Sequence, residues 1–472
     1  MIFSSTVFLL YFLPCVILLY YVFKFHRPTQ NIILLLFSLI FYAWGEPRYI
    51  FLMLLSILMN YCFGLLVDFY KNNSKITKAI LTTMCVCNLA LLYVFKYLIF
   101  SIETINFLTG SSLECIDIIL PIGISFFTFQ AMSYVFDVHR DHAHVQKNIL
   151  SLALYISFFP QLVAGPIVRY ESIATQIIDR KESIDKFCFG FCRFVSGLAK
   201  KVLIANNMAI VADQIYALCD VAPIPVSLAW VGSIAYSFQI FFDFSGYSDM
   251  AIGLGLMFGF KFEENFNYPY VATSIVGFWR RWHISLTKWF KEYLYIPLGG
   301  SRVHNKDKMI RNMLIVWIAT GIWHGSSWNF VLWGMWNFLL VVFERIIGFE
   351  DLKLPKWVRH IYALFLINLS WVSFRSESIS LLRSFSGSMF GLSGQFFSDY
   401  TVMFLKEYGV FFIAAIIFSM PFSNRLNFLV SKKAKGYSVY CICYPALMLF
   451  LFTLSLTYIV VGSYNPFIYF SF

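Results

Sequence analysis

His324 has the best setting for acid–base chemistry of any side chain in this sequence. It lies at a polar break, G-S-S, between two apolar segments, and the surrounding stretch Trp317–Asn337 holds five tryptophans. The ordinary pKa of histidine, about 6.5, suits proton transfer near neutral pH. Burial among tryptophans disfavours the imidazolium, so we expect a neutral imidazole that can accept a proton. The alternative is a core histidine that is hydrogen-bonded to Ser326 or Asn329.

His283 is a second histidine in an aromatic and basic segment. The spacing of apolar residues predicts one helix from about Ser274 to Tyr295. Tryptophan beside arginine and lysine at helical spacing is typical of the membrane interface, where we place this helix. On it, His283 shares a face with Trp279 and Arg280. The cations Arg280 and Arg281 are candidates to attract an anionic substrate.

Asp243 is an ionisable residue within an apolar run, in the sequence F-F-D-F-S-G-Y-S-D-M. Such a group costs about 2.5–3.5 kcal/mol on insertion scales and is a functional candidate by default. Capping of the helix that follows Gly246 is the alternative, and the sequence does not decide between the two. The run Ala229–Phe260 is too long for one straight crossing, which needs about 20 residues, so we predict two helical pieces hinged at this break.

The elements that position these groups are membrane helices. The chain has 472 residues, of which 59% are hydrophobic and only 13% charged, and its mean hydropathy is +0.71. These values exclude a soluble protein with a single core and indicate a polytopic membrane protein surrounded by lipid. The net charge of +11 comes from cations in short loops, where the positive-inside rule explains them without a nucleic-acid partner.

The loop charges predict an all-α integral membrane protein with about 11–12 transmembrane helices and both termini outside. Cations flank Ile149–Val168 at both ends and Pro160 interrupts it, which favours a re-entrant hairpin. The stretch Arg375–Glu407, rich in serine and glycine, is predicted to be an outer loop. A helix rising from Arg311 would place His324 roughly 20 Å into a hydrocarbon core of about 30 Å. We predict a single integral-membrane domain over residues 1–472.

Catalytic signatures of other enzyme classes are absent from the sequence. It contains no G-x-x-x-x-G-K-[ST], H-E-x-x-H or G-x-S-x-G pattern, so nucleotide-driven pumping has no support. One inner loop is rich in acidic and histidine side chains, which can bind metal, but their spacing has no order and favours a solvated polar loop. We therefore expect no metal site. The loop residues are Asp137, His139, Asp141, His142 and His144.

Several ordered motifs resemble those of the membrane-bound O-acyltransferase family, and more narrowly its bacterial alginate O-acetyltransferase branch. The resemblance spans nearly the whole chain. Its motifs include W-H-G-S-S-W-N-F-V-L-W-G at Trp323–Gly334, F-D-F-S-G-Y-S-D-M-A-I-G at Phe242–Gly253, E-N-F-N-Y-P-Y at Glu264–Tyr270, F-W-R-R-W-H-I-S-L at Phe278–Leu286, and the terminal N-P-F-I-Y-F-S-F.

The resemblance implies the family's fold, with His324 as the buried catalytic histidine and His283 as the second polar position of the site. Combined with the loop charges, it predicts an O-acetyltransferase in a bacterial inner membrane. A cytosolic thioester, acetyl-CoA as co-substrate, would donate the acetyl group, and no cofactor would be bound. Candidate substrate-binding residues are Asn329, Trp323, Trp279, Arg280, Arg281 and Asp243.

The acceptor is expected to be a hydroxyl of an extracytoplasmic polysaccharide or of a secreted or membrane-anchored esterase-like partner. Either His283 or Asn329 could position the thioester or stabilise the oxyanion. Two alternatives stay open at this stage. One is D-alanyl transfer from a carrier-protein thioester to a cell-wall polymer, and the other is non-catalytic transport of a polymer or lipid-linked sugar, which broken helices with an intramembrane Asp243 would fit.

Overall fold

The computed structural model describes residues 1–114, 118–301, 305–422, 434–462 and 464–468, without the side chains of 434–442. The fold is 76% helical, and the described part of the chain has no strand, which confirms the all-α class. The loop charges that predict the topology include Asp117, Arg425, Lys432 and Lys433, which lie outside the described residues, as do residues 469–472 of the terminal motif.

The α-helices follow one another along the whole described chain. In the first half they are α1 Leu13–Val22, α2 Arg27–Gly45, α3 Ile50–Phe69, α4 Ser74–Leu92, α5 Leu98–Thr109, α6 Ile124–His139, α7 Ile149–Ser157, α8 Phe159–Leu162, α9 Tyr170–Ile178, α10 Ile184–Ala199 and α11 Asn206–Val221. In the second half they are α12 Val226–Met257, α13 Ile275–Trp279, α14 Ile284–Phe290, α15 Lys306–His324, α16 Trp328–Ile347, α17 Lys356–Arg375, α18 Ile379–Met389, α19 Asp399–Phe418 and α20 Ala434–Val461.

The chain forms two compact units. The first comprises Met1–Arg193 with Met250–Glu263, and the second comprises Phe194–Asp249 with Glu264–Phe472. Every candidate site residue from the sequence lies in the second unit. That a single domain covers the whole chain stays a prediction.

Seven helical stretches of the described chain are long and apolar enough to cross a membrane, and Phe8–Val22 is a shorter apolar helix. The protein is therefore a multi-pass membrane protein, as the composition predicts. The other predicted crossings stay predictions. The seven stretches are Arg27–Gly45, Pro47–Phe69, Ser74–Thr109, Ile184–Val221, Trp328–Ile347, Asp399–Phe418 and Cys443–Val461.

Helix α12 runs without interruption from Val226 to Met257 over 32 residues, so the predicted hinge at Asp243–Gly246 is wrong. Two acidic residues of this segment pair with lysines of another helical segment, Asp243 with Lys201 and Asp249 with Lys200, and the helix continues past both. A Cβ atom at Gly246 would lie 2.8 Å from the carbonyl oxygen of Gly197, so the glycine permits close packing of two helices.

The single helix predicted from Ser274 to Tyr295 is also wrong, because the chain breaks after α13 and restarts as α14. His283 stands at the start of α14 with φ 43° and ψ 55°, in the left-handed region. A non-glycine residue there is uncommon and is held by its surroundings. The apolar ridge predicted for the helix is nevertheless buried, with Phe278, Trp282 and Leu286 among the core residues.

Two further segments refine the sequence interpretation. The prediction of a loop over Arg375–Glu407 is wrong in part, because the stretch contains helix α18 and the start of α19. Ser378 caps the first turn of α18, since its Oγ accepts a hydrogen bond from Leu381 N at 3.0 Å. Its apolar residues are spaced for a helix, and Phe385 is fully buried. The predicted break in Ile149–Val168 is present between α7 and α8, whereas its re-entrant placement in a membrane stays a prediction.

Candidate active site

Helices α15 and α16 form a tight pair that presents His324 at the turn between them. The last residue of α15 is His324, Gly325 follows in an extended conformation, and α16 begins at Trp328. A Cβ atom at Gly325 would collide with the ring of Phe330. A Cβ atom at Gly334 would lie 2.5 Å from the carbonyl oxygen of Trp317. Glycine at these points lets the two helices approach closely enough to enclose the histidine.

Aromatic rings surround the imidazole of His324, which is 5% exposed. Its ring centroid lies 5.0 Å from that of Trp323, 5.1 Å from that of Trp333 and 5.2 Å from that of Phe374, and the planes are close to perpendicular. Phe374 comes from the end of α17, so three helices contribute to the enclosure. Such a site has a low local dielectric, in which charge that develops during a reaction is strongly felt.

His283 lies close to His324 and is equally enclosed, with 2% exposure. Its ring packs edge-on to Phe244 at 4.6 Å and lies 6.1 Å from the ring of Trp323. Burial lowers the pKa of His283 well below its ordinary value, and the nearby His324 lowers it further. His283 lies outside the candidate membrane-spanning helices. The imidazole is therefore neutral at physiological pH.

The side chain of Asn265 joins His283 to two other motifs and is completely buried. Its Oδ1 lies 3.1 Å from His283 Nδ1 and accepts hydrogen bonds from Ser285 N at 3.2 Å and Ser285 Oγ at 2.8 Å. Its Nδ2 donates to Ser248 Oγ at 3.1 Å. The segments E-N-F-N-Y-P-Y, F-D-F-S-G-Y-S-D and W-R-R-W-H-I-S-L therefore meet at one amide.

Helix α13 is anchored to α16 by the buried Glu344. The carboxylate accepts hydrogen bonds from Ile275 N at 2.6 Å and Val276 N at 2.9 Å, which are among the N–H groups that have no partner within the helix. Negative charge at a helix N-terminus is also favourable electrostatically. Glu344 thereby fixes the helix that carries Trp279.

Tryptophan rings continue the aromatic enclosure on the side of Trp333. The ring of Trp279 lies 5.1 Å from that of Trp317 and 5.5 Å from that of Trp333. Within the described part of the chain, the buried Nε1 atoms of Trp279 and Trp333 have no hydrogen-bond partner. These indole N–H groups remain available to a substrate oxygen.

Three predicted substrate-binding residues have other partners in the structure. Asn329 is buried, and its Nδ2 donates to Ser376 O at 2.6 Å, so one of its amide hydrogens is engaged. Arg280 is 67% exposed and lies 3.4 Å from Glu350. Arg281 donates to Asn267 O at 3.1 Å at the surface. Only Trp323 and Trp279, of the predicted substrate-binding residues, pack within the aromatic enclosure of the two histidines.

Asp243 forms a buried ion pair with Lys201 at 2.6 Å, with side-chain exposures of 2% and 3%. The pair also holds the C-terminal segment: Asp243 Oδ2 accepts from Ile468 N at 2.9 Å, and Lys201 donates to the carbonyl oxygen of Pro466. Both carboxylate oxygens are therefore occupied. This geometry gives Asp243 the role of anchoring the end of the chain.

Two of the acidic and histidine residues considered from the sequence, Asp137 and His142, lie beside Glu171, which was not among them. Donor atoms of Asp137, His142 and Glu171 lie within 4.8 Å of one another. Arg169 lies 2.8 Å from Glu171 and supplies a cation to it. His139, Asp141 and His144 do not join this group, and the absence of a metal site stays a prediction.

Sequence reasoning missed Asn265, Trp333 and Phe374 as members of the site. Asn265 could have been found from the sequence, because it lies within the E-N-F-N-Y-P-Y motif, which resembles the family pattern. Trp333 was one of the five tryptophans near His324 but had no assigned role. Phe374 carried no signal, because it reaches the imidazole from a helix 50 residues along the chain.

Known proteins match this chain over most of its length. The model of the membrane-bound O-acyltransferase family matches residues 39–368. "Probable alginate O-acetylase AlgI" of Pseudomonas putida is 36% identical over 494 residues, which span 100% of both chains. The protein of that name from Azotobacter vinelandii is 39% identical over 414 residues, 86% of this chain and 80% of its own.

A third relative has a different named acceptor. "Peptidoglycan O-acetyltransferase" of Helicobacter pylori is 35% identical over 429 residues, which cover 84% of this chain and 80% of its own. The buried histidine pair, the multi-pass helical fold and these matches agree with one another. The chain belongs to the membrane-bound O-acyltransferase family and is an O-acyltransferase.

Proposed function

We propose that this enzyme transfers an acetyl group from a cytosolic thioester, acetyl-CoA, to a hydroxyl group on the other side of a bacterial inner membrane. The final acceptor is an extracytoplasmic polysaccharide. The observation that carries the proposal is His324, a buried imidazole enclosed by aromatic rings at the turn between α15 and α16, with His283 beside it. The names of the relatives support an O-acetyl transfer to a polysaccharide or to peptidoglycan.

His324 acts as the general base. It takes the proton of the acceptor hydroxyl while the oxygen attacks the thioester carbonyl, which forms the new C–O bond and a tetrahedral oxyanion. Collapse of this intermediate breaks the C–S bond, and the thiolate recovers the proton from the imidazolium. The products are an O-acetyl ester and a free thiol. The N–H groups of Trp333 and Trp279 are the donors available to the oxyanion.

The donor approaches from the cationic inner face. Arg281 and Lys288 flank the segment that carries His283, and their charge attracts the phosphates of coenzyme A. Arg280 contributes less because Glu350 neutralises it at the surface. A secreted or membrane-anchored esterase-like protein receives the acetyl group at a hydroxyl and passes it to the polymer.

Sealed proteoliposomes test both the donor and the direction of transfer. Radiolabelled acetyl-CoA is placed on the side that exposes Arg281, and polysaccharide with an esterase-like partner is placed on the other side. We expect label in the polymer and free thiol on the donor side, each in equal amount. Transfer only from a D-alanyl carrier protein would replace the proposal by the D-alanyl alternative, and equal labelling from either side would overturn the direction.

A further inference from the structure

We propose that Asn265 is a positioning residue that holds His283 in the tautomer with the proton on Nδ1, which leaves Nε2 as an acceptor. This inference rests on the proposed function, because it assigns a protonation pattern to the second histidine of that site. It gives His283 one of the two chemical roles that the sequence leaves open.

The orientation of the Asn265 amide follows from its neighbours. Ser285 N is a backbone donor, and it lies 3.2 Å from Asn265 Oδ1. If the amide were rotated by a half turn, its NH₂ group would face this N–H, and two donors would oppose each other. Ser248 Oγ, which lies 3.1 Å from Nδ2, accepts a hydrogen bond in the observed orientation. The oxygen of Asn265 therefore faces His283.

The tautomer of His283 follows from that orientation. Its Nδ1 lies 3.1 Å from an oxygen that can only accept. A bare Nδ1 would place two lone pairs against each other, so Nδ1 carries the proton. Burial keeps the ring neutral, and a neutral imidazole has a single N–H. Nε2 is then the unprotonated nitrogen.

The backbone around Asn265 makes this arrangement rigid. Ile284 N donates to Asn265 O at 2.9 Å, and Asn267 N donates to Arg281 O at 2.9 Å, so the two segments are paired on both sides of His283. These bonds hold the left-handed conformation of His283, with φ 43°. The left-handed turn directs the ring of His283 toward Asn265. The turn and the Asn265 amide together fix the position of the imidazole and keep its proton on Nδ1.

The consequence is that His283 accepts a hydrogen bond from a substrate group and does not donate one to the oxyanion. An unprotonated Nε2 can accept a hydrogen bond from an N–H group of the thioester donor, which orients the thioester carbonyl toward the incoming hydroxyl while His324 removes the proton of that hydroxyl. The oxyanion is left to the N–H groups of the tryptophans. The division of roles between the two histidines thus originates in one buried amide.

The experiment combines NMR with kinetics on the purified full-length enzyme. With ¹⁵N-labelled histidine and a His283→Gln spectrum for assignment, we expect His283 in wild type to show a protonated Nδ1 and a bare Nε2. Asn265→Ala should give a mixture of tautomers and reduce kcat by about 10- to 100-fold with little change in KM. A wild-type spectrum with the proton of His283 on Nε2 would overturn the inference even if Asn265→Ala does not fold.

Asn265→Asp distinguishes control of the His283 proton from a merely structural role, because only the former predicts a shift in the pH–rate profile. The carboxylate still accepts from Nδ1 but also stabilises the imidazolium, so the pKa of His283 rises and the acid limb of the rate profile moves to higher pH. The matched controls are Asn267→Asp and Asn267→Ala, because Asn267 lies two positions after Asn265 and its side chain is exposed. Superimposable pH profiles for Asn265→Asp and Asn267→Asp would contradict the inference.

The outcome separates this inference from the proposed function. If His324→Ala keeps full transfer activity, the proposed function of the site is wrong whatever Asn265 does. If His324→Ala and His283→Ala are inactive while Asn265→Ala retains the kcat and the pH profile of wild type, only the role of Asn265 is wrong.

Discussion

Substitution of Gly334 by alanine should displace the catalytic histidine without touching it. A Cβ atom at this position would lie 2.5 Å from Trp317 O and 3.3 Å from Gly321 Cα, and real Cβ atoms do not approach within 3.0 Å. Because both contacts are to backbone, no side-chain rotation relieves them, and α15 and α16 must separate by about 0.5 Å here. The displacement carries His324 away from Trp333, which adjoins Gly334 on the other helix.

The expected effect on the rate follows from this distance. A misplacement of about 1 Å can reduce a rate by about 10²-fold. A displacement of half that distance should therefore lower the kcat of Gly334→Ala by about 10-fold. Overpacking should cost about 1–3 kcal/mol of stability as well. Thiol release per folded enzyme is measured in detergent, together with the thermal midpoint. The rate must be normalised to the folded fraction, so that a loss of folded protein is not counted as a loss of catalysis.

Gly409→Ala is the matched control for this prediction. Gly409 lies within helix α19, and a Cβ atom there would meet nothing within 4 Å. Alanine should be neutral or stabilise this helix by about 0.5–1 kcal/mol. A Gly334→Ala enzyme with the kcat of wild type would refute the claim that the α15–α16 crossing sets the position of His324.

The buried charges give two further predictions. Lys201→Met leaves the carboxylate of Asp243 buried without its cation, so it should lower the free energy of unfolding by about 3–5 kcal/mol in denaturant titrations. The double variant with Asp243→Leu should recover most of this loss. Equal stability of the single variant and wild type would contradict the buried ion pair. Glu344→Ala removes the acceptor of two N–H groups of α13, at about 1–3 kcal/mol each, and should lower kcat. The control Glu350→Ala, at an exposed pair, should change stability by less than about 1 kcal/mol.

The part of the site formed by neighbouring residues was predictable from the sequence. Two apolar runs separated by G-S-S predict two helices joined by a tight turn, and the structure confirms that His324 lies at this junction. The membrane class follows from composition, because the chain contains too few polar residues for a soluble fold, and the apolar runs between charged loops predict the helices. These features depend on local pattern, which a single sequence displays.

The features that the sequence did not predict depend on distant partners. The polar residues within α12 resemble a helix break because their partners are not evident from the sequence. Asp243 pairs with Lys201 in the structure, so the sequence alone could not exclude a hinge. The left-handed turn at His283 is set by Asn265, which lies 18 positions earlier in the chain. Helical periodicity across this segment is real, but tertiary contacts override it between Trp279 and Ile284.

The most direct test of the central claim is acetyl transfer by His324→Ala. The variant removes the proposed base from a site that is otherwise unchanged, and general base catalysis typically contributes about 10²–10⁴-fold. Thiol release from acetyl-CoA is measured with acceptor present and with the amount of folded enzyme matched to wild type. We predict a loss of at least about 10²-fold in kcat, and a His324→Ala enzyme with the rate of wild type would contradict the account.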